Sequence, residues 1–250
     1  MKPKVSVIMP VFNAANVELS IDGVLSQTYK DLELIIIDDH SNEDIAKVLE
    51  RVAASDNRVI LVRNDTNQGA GISRNIGLRR AKYDLIAFCD SDDFWVPNKL
   101  EVQITQMIKE DAPICCGGFV KKHHSTNKIS KPMFPPPRIT HNDLLKTCSI
   151  VMSTAVINRK ITGYFEMPTA RMRQDFGMWL QLTNKGHWAL GLDKILVEIG
   201  YGHQSVSSNK FLAAFYHWKT VRKYSNISFL VMSVYFFSYA INGIRKYFLR

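Results

Sequence analysis

The chain has 250 residues, 46% hydrophobic and 22% charged, enough to bury the core of one large α/β domain or two small ones. Its formal net charge is +9, and the excess is concentrated at the end: Glu198 is the last acidic residue, and seven Lys and Arg follow it. Such a tail suits an anionic partner, nucleic acid or an anionic membrane surface. The four cysteines, Cys89, Cys115, Cys116 and Cys148, form no C-x-x-C, and three lie in apolar, strand-like surroundings. They read as reduced core residues of a cytoplasmic protein, not as ligands or disulfides. The opening "MKPKVSVIMPVFN" has too short an apolar run for a signal peptide, and no repeat of 20 to 50 residues is visible.

The first hundred residues alternate strand and helix patterns. "VSVIM" (5–9) predicts a strand stopped by Pro10. "VELSIDGVLSQ" (17–27) has helical periodicity, and "LELIIID" (32–38) is a near-continuous apolar strand, the pattern of a strand covered on both faces. "SNEDIAKVLERVAA" (41–54) opens with a Ser or Asn cap and early acids. "VILVR" (59–63), the helix "GAGISRNIGLRRA" (69–81) and the strand "DLIAFC" (84–89) complete the series. The alternation predicts a mostly parallel sheet with right-handed crossovers.

After Pro97, "NKLEVQITQMIKE" (98–110) predicts a helix and "PICCGGFV" (113–120) a strand. Residues 121–138, "KKHHSTNKISKPMFPPPR", hold five Lys and Arg, no acid and a Pro triplet, which predicts an exposed loop or loose hairpin. "SIVMSTAVIN" (149–158) predicts a strand, "QDFGMWLQLTNKG" (174–186) a helix with a Gly stop, and "ALGLDKILVEIGY" (189–201) a strand pair. The last stretch, 227–250, is apolar and then basic. Its clean apolar part is about 15 residues, short of the roughly 20 that span a bilayer. It reads as a helix packed on the domain or as an interfacial helix; Arg245, Lys246 and Arg250 tilt the reading toward the membrane.

In an open parallel sheet, ligands bind beyond the carboxyl ends of the strands. Here those ends are polar: "PVFN" (10–13), Asp38-Asp39, and "DSDD" (90–93). Each alone fits a turn or helix cap; three on one edge indicate a site. Asp90, Asp92 and Asp93 suit a hard divalent cation such as Mg²⁺ or Mn²⁺ that also holds substrate phosphates. Neither G-x-x-x-x-G-K-[ST] nor G-x-G-x-x-G after the first strand occurs, which argues against P-loop and dinucleotide sites. "NQGAGISRN" (67–75) lets a nucleotide approach the backbone, with Arg74 near phosphate or base. No Cys/His spacing suggests zinc.

The ordered set "VSVIMPVFN", "LSQTYKDLELIIIDDHS", "NQGAGISRNIGLRRA", "YDLIAFCDSDDFWVPNKLE", "RQDFGMWLQLTNKG" and "SVSSNK" resembles the family-2 inverting glycosyltransferases. Among these it is similar to the short bacterial enzymes that build teichuronic acid, O-antigen or capsule chains. The likeness runs from about residue 4 to 223. It implies the GT-A fold: α/β, with a Rossmann-like, mostly parallel central sheet flanked by helices, here with a C-terminal helical extension. The division it suggests is a nucleotide-binding half (1–112), an acceptor half (113–223) and a basic amphipathic C-terminal helix (224–250).

The resemblance also implies roles. Pro10, Phe12 and Asn13 form the turn at the nucleotide base, where the family more often has Tyr than Phe12. Asp39 reads the uracil ring, Asp38 being structural. Gly69 and Arg74 contact the nucleotide. Asp90, Ser91, Asp92 and Asp93 form the region that binds ribose and the metal, Mn²⁺ or Mg²⁺. Asp175 is the catalytic base; Gln174 stands where the family has Glu. His203 and Lys210 are candidates to reach the diphosphate. The implied reaction moves a sugar from a UDP-sugar to a glycan acceptor, polyprenyl-diphosphate-linked, in cell-surface polysaccharide synthesis. The protein is then peripheral on the inner face of the cytoplasmic membrane.

Three other readings are weaker on the residues. A nucleotidyltransferase needs a lysine-bearing, Gly-rich loop near the first strand, and "PVFNAANVE" supplies none. A nucleic-acid-binding module is opposed by the acidic rim. A processive polysaccharide synthase would carry Q-x-x-R-W and several membrane spans.

Overall fold

The structure is a computed structural model that describes residues 2–123, 126, 128–169, 172–201, 210–225, 227–228, 232 and 235. The elements in chain order are β1 (Val5–Val11), α1 (Val17–Leu25), β2 (Leu32–Asp38), α2 (Glu43–Ser55), β3 (Val59–Arg63), α3 (Ala70–Arg80), β4 (Leu85–Phe88) and β5 (Phe94–Trp95). They continue with α4 (Lys99–Lys109), β6 (Ile114–His123), β7 (Arg138–Ile139), α5 (His141–Lys146), β8 (Val156–Asn158), α6 (Arg159–Thr162), α7 (Gln174–Asn184), β9 (Ala189–Tyr201) and α8 (Lys210–Tyr224).

One sheet of nine strands runs through the molecule in the order β3-β2-β1-β4-β8-β6-β9-β5, with β7 on β9. β1, β2, β3 and β4 are parallel, whereas β8 is antiparallel to both β4 and β6. Every residue of β1 and β2 is buried, as continuous apolar strands require when helices cover both faces. One core holds Val7, Met9 and Leu34 under α1, α2 and α4; the other holds Ile8, Phe88 and Ile157 under α3, α5 and α7. Two polar strand residues, Ser6 and Glu33, are satisfied together: the hydroxyl donates to the carboxylate at 2.6 Å, and the Lys82 and Tyr83 N–H groups complete the cluster. The expected Asn or Ser cap of α2 is Asn42, whose side chain accepts from the Ile45 N–H.

Three sequence expectations change. Pro10 does not stop β1, which runs through it to Val11, with Pro10 opposite Ile37. Residues 149–158 are not one strand: Met152–Thr154 form a 3₁₀ turn before the short β8. The Thr154 hydroxyl donates to the Val151 carbonyl and Ser153 Oγ accepts the Asp90 N–H, so local side-chain bonds displace the ladder. Residues 189–201 are one 13-residue strand, not a pair. "LGLDK" is no turn, because Gly191 lies flat beneath the Pro triplet; a Cβ there would overlap the Pro136 carbonyl, and the Gly191 N–H donates to the Pro137 carbonyl at 2.9 Å. Register shifts at Gly117, Gly118 and Phe119 absorb the irregularity.

Phe94 and Trp95 pair with β9, and Trp95 is buried. Over it lies a residue the periodicity did not flag. Lys99, the first residue of α4, is fully buried; its ammonium sits 3.8 Å from the Trp95 ring centroid and has no hydrogen-bond partner. Burial pulls its pKa from 10.5 down to about 7, with Cys89, Cys115 and Cys116 nearby. Because the folded value lies below the unfolded one, the unfolded chain binds more protons between these values. Stability therefore rises with pH across about 7 to 10.5, and the penalty is fully present below pH 7. A shift of this size corresponds to roughly 5 kcal/mol, of which the cation–π contact returns about 2. Lys99→Met is thus expected to raise stability by about 2–3 kcal/mol at pH 7 and to flatten the rise toward pH 10. Denaturant titrations at pH 7 and pH 9.5 would measure this; equal or lower stability of the variant at pH 7 would refute it.

Of the expected C-terminal helix, Met232 is buried in the second core, with Ile227 and Tyr235 packed against that core. Most of that segment, and with it Arg245, Lys246 and Arg250, lies outside the described residues. Among the described residues no helix is long and apolar enough to cross a membrane.

Candidate active site

The parallel register sets the site. Val11 is paired with Asp38, Asp38 with Arg63, and Ile8 with Phe88, so β1, β2, β3 and β4 release their polar ends at one edge. Pro10, Val11, Phe12, Asp39, Ala70, Arg74, Asp90, Ser91 and Asp92 line a cleft of about 250 Å³ there. Phe12 is 51% exposed, a large ring left in water at the mouth of a cleft.

Asn13 adopts a left-handed φ of 49°. Its N–H donates to Ser41 Oγ and its side-chain carbonyl accepts the Asn42 N–H, so it clamps the loop after β1 to the loop after β2 and does not line the cleft. Asp38 is buried, accepting the Ser41 N–H at 2.9 Å and facing the Arg63 guanidinium at 3.2 Å, a structural arrangement. Asp39 is buried too, but at the cleft wall. One oxygen accepts from the Asn64 amide at 2.7 Å and the Gln68 N–H at 2.9 Å; the other accepts the Gly69 N–H at 2.7 Å. Asp39 therefore holds the loop that leads into α3. Gly69 makes that loop possible with φ +87°, a conformation that disfavours any side chain. Asn64 was not anticipated. It ends β3, and extending the strand-end argument to the third strand would have reached it.

From the second turn of α3, Arg74 reaches back and its guanidinium pairs with the Asp90 carboxylate. Arg74 is buried and its Nε has no partner. The turn after β4 is fixed on three sides. The Asp90 N–H donates to Ser153 Oγ, the Ser91 carbonyl accepts from the Ser20 hydroxyl, and Asp93 Oδ1 accepts the Gly200 N–H from β9 at 3.0 Å. Asp93, expected beside Asp90 and Asp92 as a metal ligand, does not line the cleft: it is buried and bonded to β9. Burial, with Asp90 and Asp92 alongside, pushes its carboxyl well above the usual carboxylate range. Of these three carboxylates, Asp90 and Asp92 line the cleft. Among the described residues no three His, Cys, Asp or Glu side chains converge to hold an ion. Two cleft carboxylates do fit a hard cation whose remaining ligands are phosphate oxygens and water.

Helix α7 starts from Arg173 in a left-handed conformation, φ 60°. Its first residue, Gln174, packs on α3: a Cβ on Gly71 would overlap the Gln174 amide. Gly71 follows Ala70 of the cleft lining, so this contact sets the start of α7 beside the cleft wall. Asp175 follows, half-buried in the first turn; it is not among the cleft-lining residues. The rest of α7 is locked in the core. Phe176 stacks on His217 of α8 with ring centroids 4.7 Å apart, and burial, with Arg173 nearby, drives the His217 pKa down to about 3. His203 lies outside the described residues, and Lys210 opens α8 with its side chain undescribed.

Comparison with known proteins agrees with this geometry. Residues 6–165 match the family model described as glycosyl transferase family 2. A protein of Bacillus subtilis (strain 168), described as a teichuronic acid biosynthesis glycosyltransferase, TuaG, is 35% identical over 98% of both chains. The Escherichia coli "UDP-Glc:alpha-D-GlcNAc-diphosphoundecaprenol beta-1,3-glucosyltransferase WfgD" is 35% identical over 97% of this chain and 94% of its own. The fold is that of S. aureus TarS: its 1–349 structure with UDP-GlcNAc superposes with a TM-score of 0.73 at 16% identity, covering 98% of this chain and 73% of that one. In a longer TarS structure this chain spans 44% of the length. The cleft at the strand ends and a family match over most of the sheet lead to one conclusion: this chain belongs to glycosyltransferase family 2.

Proposed function

We propose that the protein transfers a hexose from a UDP-sugar, with inversion, to a glycan acceptor carried on a polyprenyl diphosphate, in the synthesis of a cell-surface polysaccharide at the inner face of the cytoplasmic membrane. The carrying observation is the grouping of Asp39, Arg74, Asp90 and Asp92 around one 250 Å³ cleft beneath the exposed Phe12 ring. The named activity of WfgD supports the choice of donor and acceptor.

In this reading, Phe12 and Asp39 take the base, and Arg74 and the turn at Asp90–Asp92 take the ribose and diphosphate. Asp90 and Asp92 would hold Mn²⁺ or Mg²⁺, which supplies charge stabilisation for the departing diphosphate. Asp175 accepts the proton of the acceptor hydroxyl. That oxygen forms a bond to the anomeric carbon while the bond to the β-phosphate oxygen breaks, and UDP leaves with the electron pair. The single displacement needs no enzyme nucleophile. Gln174 keeps α7 docked on α3 through its contact at Gly71.

A panel of UDP- and GDP-sugars, titrated with Mn²⁺ or Mg²⁺ present, tests the reading. Saturable binding of at least one UDP-hexose, and transfer to a synthetic diphospholipid-linked sugar, is the expected result. Binding of none, or binding of GDP-sugars alone, would refute it.

A further inference from the structure

The basic segment after β6 takes the hairpin form, one of the two its composition allowed. It returns as an antiparallel ribbon on β6: Phe119 and Met133 exchange two hydrogen bonds of 2.9 Å, the Ser130 N–H donates to the Lys121 carbonyl, and the His123 N–H donates to the Lys128 carbonyl. The hairpin carries no acidic residue between 121 and 138. Lys121, Lys128 and Lys131 are exposed on it, while Lys122 is paired with Glu198 at 3.2 Å. The same segment carries two large apolar side chains in water, Ile129 at 53% and Phe134 at 48% exposure. Phe134 is seated on Gly118, where a Cβ would overlap its ring, so the aromatic is held outward by a built contact.

We infer that the two arms of this ribbon, residues 119–123 and 128–134, form a docking surface for an anionic lipid bilayer. Lysines flanking outward aliphatic and aromatic groups fit the two layers of a membrane interface: head-group charge and the acyl boundary. A polyanion without a hydrocarbon layer would give Ile129 nothing. In the C-terminal apolar stretch the described side chains Ile227, Met232 and Tyr235 belong to the core. Position adds a consequence. β6 and β4 are both antiparallel to β8, so the hairpin leaves the sheet at the edge that carries the cleft. Asp93, bonded to Gly200 on β9, ties the two together. Docking would therefore bring the cleft to the membrane plane. That consequence, though not the docking, rests on the lipid-linked acceptor proposed above.

The test is co-sedimentation of the full chain with vesicles of phosphatidylglycerol and phosphatidylcholine, against phosphatidylcholine alone, with UDP-sugar binding measured on the same samples. Wild type is expected to bind the anionic vesicles. Lys121→Glu/Lys128→Glu/Lys131→Glu is expected to lower partitioning roughly 100-fold or more, and Ile129→Ser several-fold, with circular dichroism and UDP-sugar binding unchanged. Unchanged partitioning of the triple variant would overturn the inference, since some other surface would then be the anchor. Equal loss of vesicle and duplex-DNA binding in the triple variant, with no effect of Ile129→Ser, would also overturn it in favour of a general polyanion site. Failure of wild type to bind any UDP-sugar would sink the proposed function and leave the docking result standing.

Discussion

Asp175→Asn is expected to bind a UDP-sugar as tightly as wild type and to lose transfer by a factor of 10² to 10⁴, the range a positioned general base contributes. The substitution is nearly isosteric and removes only the capacity to take a proton. Its structural effect should be small. Asp175 lies in the first turn of α7, where a carboxylate interacts favourably with the helix dipole by about 0.3–1 kcal/mol. The helix itself is held by other residues: Gln174 against Gly71, and Phe176 and Trp179 in the core. Single-turnover transfer, with isothermal titration of the donor on the same preparation, separates the roles. Retained transfer would remove Asp175 from the proton-accepting role; lost donor binding would mean that it shapes the cleft instead.

The second large effect is expected at Asp39, and it should appear in stability and binding together. Asp39→Ala deprives the Gln68 N–H, the Gly69 N–H and the Asn64 amide of their acceptor at a site that is nearly closed to water. Each stranded donor costs about 1–3 kcal/mol. Partial access from the cleft lowers the sum, so a loss of about 3 kcal/mol is expected, near 10 °C in Tm for a chain of this size. Donor affinity should fall at least tenfold, because the loop that seats Gly69 at the start of α3 loses its anchor. Asp39→Asn keeps one accepting oxygen and places an NH₂ near the other N–H, so it should fall between wild type and Ala in both measurements. A full loss of binding with unchanged Tm would show that Asp39 contacts the donor without organising the loop.

Much of the site edge was readable from local pattern. A continuous apolar run identified β2 as a doubly covered strand, and Phe12, Asp39 and Asp90–Asp92, which follow the ends of β1, β2 and β4, line the cleft. Period and punctuation are local properties, and each strand reports its own end. Asp38 is spent on Ser41 and Arg63, and Asp39 lies at the cleft wall.

What the chain alone left open was every choice made by a distant partner. The sequence offers Asp90, Asp92 and Asp93 as chemically equal. The tertiary structure separates them, because Gly200, more than a hundred residues away, donates to Asp93, while Arg74 takes Asp90. The same holds for Lys99, which resembles any helix-start lysine until β5 and three cysteines close around it, and for Gln174, whose packing depends on a missing Cβ at Gly71. Composition and periodicity determine which residues are buried and where the strands stop. Which carboxylate remains available to a ligand depends on desolvation and on hydrogen-bond donors brought by other strands, and only the folded arrangement decides that.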